Sequence, residues 1–157
     1  MKAKEKLPVK AVVNGILKDK HGNIKSTGLH INTITNLHDA LIADLMAGGS
    51  DTLIGYGHAG TGDSQTAADT NLDAPFEENR TALDSSTQQA GADDNDVEYV
   101  YTLAAGVCTG NITELGLFTS QTYSEGNMMC YTDTDVNYSK GADDTLEVTW
   151  TVTYGSS

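Results

Sequence analysis

The chain has 157 residues, 38% of them apolar, and a net charge of −13; that length is enough for one core without metal or disulfide staples. A body of this sign repels nucleic-acid phosphates, which excludes polynucleotide binding by the main domain. The longest apolar candidate, ALIADLM at 40–46, falls far short of the roughly 20 residues that span a bilayer, so no membrane partner is expected.

The first stretch, MKAKEKLPVK, is basic, and no apolar segment of the kind that makes a secretory signal follows it. Residues 1–25 hold seven bases against two acids, +5, whereas residues 26–157 hold two bases, Arg80 and Lys140, against twenty acids, −18. The chain therefore reads as a basic arm at 1–8 attached to a single acidic domain at 9–157. Lys2, Lys4, Lys6 and Lys10 are the candidate partner-binding residues, suited to an acidic surface.

Next come VKAVVNGIL at 9–17 and IKSTGLHINTI at 24–34, β-rich runs separated by KDKHGN. His21, Gly22 and Asn23 suit a tight turn, so the pair predicts a β-hairpin. Thr35 or Asn36 can cap a helix in which Leu37, Leu41, Ile42, Leu45 and Met46 recur at three and four spacing. That short amphipathic helix is expected over about 36–48, stopping at Gly48 and Gly49.

From residue 51 the pattern is strand and turn. DTLIGYG starts a strand, a Gly/Ser/Thr/Asp/Ala-rich loop is expected at about 57–75, a strand around 79–86, and an exposed acidic loop at 86–96. Then VEYVYTLAA, ITELGLFT and NMMCYTDTDV read as strands, and TLEVTWTVTY places Leu146, Val148, Trp150, Val152 and Tyr154 on one face with Thr and Glu on the other. The predicted fold is mainly β: an antiparallel β-sandwich, or a related barrel, with an N-terminal hairpin and one short helix.

GYGHAGTG at 55–62 contains G-x-G-x-x-G, yet the residues after Gly60 lack helical spacing and run into Pro75. A dinucleotide fingerprint needs a helix opening there to hold the pyrophosphate. As a phosphate loop it also fails, since Asp63 stands where the lysine belongs. The expectation is a flexible connection whose glycines serve backbone freedom.

Catalytic and metal chemistry find no foothold. The sequence has no G-x-S-x-G and no Cys beside a His; Cys108 and Cys130 read as reduced core thiols, with a disulfide as the lesser option. His21, His30, His38 and His58 are scattered without ligand spacing, and DDND at 93–96 has Glu98 where a calcium loop requires glycine. Tyr99, Tyr101, Tyr131, Tyr138 and Tyr154 suit core packing, a sugar-stacking surface being the competing reading. No enzyme activity, cofactor or metal is expected.

Four stretches in order, NTITNLHDALIADLM (32–46), LIGYGHAGTGDSQTAADTNLDAP (53–75), ITELGLF (112–118) and DTLEVTWTVTY (144–154), resemble small virion structural proteins of tailed bacteriophages, described as tail-fibre-like or head-decoration-like. The resemblance implies a non-enzymatic homo-oligomer, made in the host cytoplasm and residing in the virion, with the major capsid protein or other virion proteins as partners. A capsid decoration (cement) protein is the first expectation. A tail or neck fibre or adaptor, with receptor or carbohydrate binding, is the second.

Overall fold

The computed structural model describes residues 9–155. The N-terminal hairpin forms as expected from β1 (Val9–Lys18) and β2 (Ile24–Ile31), followed by the short β3 (Thr33–Ile34). At the turn, Gly22 adopts φ +82°, and the Asp19 carboxylate accepts the amides of His21 and Asn23 at 2.8 and 2.9 Å. Helix α1 spans Asn36–Met46. Thr35 caps it by accepting the His38 amide, and Gly48 at φ +80° lies just beyond its end.

The rest is strand and loop: β4 (Tyr56–Gly60), β5 (Thr81–Ala82), β6 (Ser85–Gln88), β7 (Asp96–Leu103), β8 (Gly110–Ile112), β9 (Glu114–Phe118), β10 (Met128–Thr132), β11 (Tyr138–Lys140) and β12 (Thr145–Tyr154). One five-stranded sheet has the order β2-β1-β12-β7-β6 and the other β3-β10-β9-β4-β5, while β11 and β8 form a two-stranded ribbon. All pairings are antiparallel, and neither sheet closes into a barrel.

Alternation in β12 dictates its central place. Leu146, Val148, Trp150 and Val152 are fully buried while Glu147, Thr149 and Thr151 between them are partly exposed, the pattern of a strand with one face in the core. Trp150 pairs with Val13 on one side and Tyr99 on the other. These side chains share one core with Leu115, Leu117, Met129 and Cys130 of the second sheet, so the two sheets pack as a β-sandwich. Burying each such aliphatic side chain contributes about 1.5–3 kcal/mol.

The second sheet is buried on both sides. Every residue of β9 and β10 is buried, and Phe118, Met128 and Tyr131 form a separate apolar cluster with Leu72 on the face away from the main core. The segments 61–80 and 119–127 cover that face. Two charged residues hold them. Glu114 accepts the amides of Gly62, Asp73 and Ala74 at 3.1, 3.0 and 2.8 Å and the Gln65 side chain at 2.6 Å. Arg80 donates to the carbonyls of Ser120, Tyr123 and Glu125 and to Asn71 and Asn127.

Two local expectations need correction. The strand containing GYGHAG runs Tyr56–Gly60, into the stretch expected to be loop, and none of Gly55, Gly57, Gly60 or Gly62 has a positive φ. Close approach selects three of these glycines: a Cβ on Gly57 would collide with the Tyr101 ring, one on Gly60 would meet the Glu114 carboxylate and the Ala74 carbonyl, and one on Gly62 would run into the Asp73 side chain. The second correction concerns the acidic loop expected at 86–96. Its first residues belong to β6, an edge strand paired with β7, and Gly91–Asp93 form a 3-10 turn.

Candidate functional site

Of the predicted partner-binding residues, Lys2, Lys4 and Lys6 lie outside the described residues. Lys10 is exposed on β1, on the outward face that also carries Val12. Lys18, Lys20 and Lys25 follow on the same hairpin. Lys25 is engaged, its ammonium 2.5 Å from the Asp144 carboxylate, and that contact holds Asp144 below the usual carboxylate range.

The two bases of the acidic part are both hidden. Arg80 is 1% exposed and Lys140 2%. Lys140 donates to the Ala104 carbonyl at 2.8 Å, and burial lowers its pKa. Burial likewise lowers that of Arg80, to about 10, with its guanidinium carbon 3.7 Å from the centroid of the Phe118 ring. Among the described residues, therefore, no lysine or arginine after Lys25 reaches the surface. The lysines that reach the surface among the described residues all lie on the hairpin.

The structure overturns the expectation that no cysteine lies near a histidine. Cys130 Sγ is 3.3 Å from Nδ1 of His38, whose Nε2 lies 3.0 Å from the Tyr154 hydroxyl, and Tyr154 is 3.3 Å from the hydroxyl of Tyr99. Cys108 Sγ is 3.9 Å from Nδ1 of His58, and Nε2 of His58 donates to the Phe76 carbonyl at 2.8 Å. Cys108 also has φ +48°, and its amide donates to Glu78 at 2.6 Å. Neither pair was legible in the sequence, because the partners are 92 and 50 residues apart.

Proximity alone does not make a nucleophile. Both sulfurs are free, and both residues have no solvent exposure. Burial pushes each thiol up to about 12 and lowers both imidazoles. The same desolvation thus disfavours both halves of a thiolate–imidazolium pair, and the neutral pair persists at physiological pH. Each histidine serves as a hydrogen-bonding strut in the core.

Tyr99, Tyr101, Tyr131 and Tyr138 are buried, so their rings pack in the interior as expected. Tyr138 places its hydroxyl 2.7 Å from Nε2 of His30 and against the cross-strand pair Gly15–Gly28. Among the described residues no three His, Cys, Asp or Glu side chains come together to hold a metal ion.

Two exposed aliphatic patches remain. Val12, Leu29 and Ile31 cover the outward face of the hairpin, Val12 lying directly across from Ile31. Leu45, Met46 and Leu53 are exposed at and beyond the end of α1. Leu45 and Leu53 also line a cavity of about 300 Å³ with Leu41, Ile42, Ile54 and Tyr99, with His38 and Tyr154 also in its wall. No protein-family model, curated protein or solved structure matches the chain in sequence or structural comparison.

Proposed function

We propose that this chain is a non-enzymatic structural component of a tailed-bacteriophage virion, a decoration or cement protein added to the outside of the head. The observation carrying this reading is the segregation of charge: burial of Arg80 and Lys140 leaves a purely acidic surface beyond a cationic N-terminal hairpin. Such a molecule attaches by electrostatic complementarity and apolar contact, with the basic end directed at an acidic capsid surface. Repetition around a symmetric shell multiplies a weak individual contact into stable attachment.

Quantitative mass spectrometry of purified particles tests this reading. A copy number comparable to that of the major capsid protein supports decoration of the head. A few copies per particle would place the protein in the tail or neck as a fibre or adaptor, and its absence from particles would overturn the virion reading.

A further inference from the structure

The two aliphatic patches differ in the charge around them. On the hairpin, Leu29 and Ile31 are 74% and 81% exposed, on the face that carries the exposed Lys10, with Lys18 and Lys20 at the turn outnumbering the Asp19 between them. Their strand, β2, is an edge of its sheet among the described strands. At the cavity, Leu53 in its wall is 63% exposed, and Met46 at the end of α1 is 83% exposed; the charges nearest to them in the chain are the acids Asp44 and Asp51, the amide of Asp51 bonding to the Asp44 carboxylate. Isolated surface aliphatics are ordinary, but contiguous ones with a polar border mark contact sites.

We propose that the chain associates head to tail with further copies of itself, the outward face of β1–β2 on one copy seating on the apolar mouth beneath α1 on the next. Charge decides this pairing. Hairpin against hairpin would set lysines against lysines, and mouth against mouth would set aspartates against aspartates. The crossed arrangement joins apolar to apolar while matching a basic border to an acidic one. The cavity, about 300 Å³, stands at the small end of the range for small-molecule sites. It suits protruding aliphatic side chains such as Leu29 and Ile31.

Because the two surfaces are different, the contact is heterologous and generates a ring where the rotation closes, or a chain where it does not. The inference concerns the isolated chain, so it can fail without touching the virion reading, and the virion reading can fail without touching it.

The test uses the full chain in light scattering coupled to size exclusion, with circular dichroism confirming that each variant is folded. Wild type is expected to exceed the 16.6 kDa monomer and to shift towards it as salt rises. Leu29→Asp with Ile31→Asp spoils only the hairpin, and Met46→Lys with Leu53→Lys spoils only the mouth; each variant alone is expected at monomer mass. Mixed, they each retain one intact surface and are expected to form a dimer that grows no further. A wild type that stays monomeric, a variant that keeps the wild-type mass, or a mixture that stays monomeric overturns the proposal.

Discussion

The guanidinium of Arg80 lies over the ring of Phe118, its central carbon 3.7 Å from the ring centroid, while its NH groups reach the carbonyls of Ser120, Tyr123 and Glu125. Arg80→Ala leaves those carbonyls and two asparagine oxygens short of donors beside a new cavity, so it should destabilise by about 3–5 kcal/mol. Arg80→Lys retains the charge but not the planar fork, and should cost about 2 kcal/mol. Urea midpoints measure both. Losses under about 1 kcal/mol in the alanine variant would mean that the covering segments stay in place without Arg80.

Gly57 and Gly22 separate lack of space from backbone conformation. A methyl group on Gly57 would enter the Tyr101 ring although its φ is ordinary, whereas Gly22 has φ +82° and open space around it. Gly57→Ala should therefore cost about 3 kcal/mol through overpacking, and Gly22→Ala about 1 kcal/mol through backbone strain. Thermal melts rank the two. The reverse order would refute close packing as the reason for glycine in β4.

Alternation made the hairpin, β7 and β12 legible in the sequence, because one face of each lies in the core and the other is turned away from it. Thr35 and Gly48 likewise announced both ends of α1 through chemistry local to the helix. A strand was expected around 79–86, where β5 and the start of β6 lie, but the full extent of β6 and the short strands β8 and β11 lacked that signal: Ser85–Gln88 is wholly exposed, and its strand character comes from pairing with β7. Long-range burial also concealed the two charged anchors. Arg80 stood as one of two bases in the acidic part and Glu114 as the single acid within ITELGLF, the available clue. Of the predicted site, the structure describes Lys10 alone, while the aliphatic patches become visible only when strands distant in sequence are set side by side.

Buried thiols should be chemically silent. Cys108 and Cys130 have no exposure and thiols pushed up to about 12, so the thiolate needed for attack is scarce and enclosed. Native protein should leave both unlabelled by a disulfide reagent, and denaturant should release two reactive groups per chain. Prompt labelling of either in the native state would reopen the question of a reactive Cys–His pair.

Acidification should destabilise the fold below neutrality. Burial lowers the pKa of His30, His38 and His58 from the ordinary 6.5, so the unfolded chain binds protons that the folded chain refuses. Their contribution is fully present above pH 6.5 and is lost as pH falls towards the lowered folded values. Melting temperature should be level above about pH 7 and decline between about 6.5 and 5. His38→Gln should flatten that decline even if it lowers the whole curve. A melting temperature that rises across this interval would contradict the sign.

Removal of residues 1–8 tests the electrostatic tether. Strand β1 begins at Val9 and pairs with β12 from Val9 onward, so the truncated chain retains every described strand and should melt within about 1 °C of the parent. It loses Lys2, Lys4 and Lys6 against Glu5, a change of −2 in side-chain charge. Attachment to particles should weaken at low ionic strength and converge with the intact chain near 1 M salt, where the screening length falls to about 3 Å. The salt comparison distinguishes this effect from a lost apolar contact, which added salt does not screen. Equal attachment of the two forms at every salt concentration would remove the arm from the binding surface and leave the hairpin lysines, Lys10 among them, as the remaining cationic candidates.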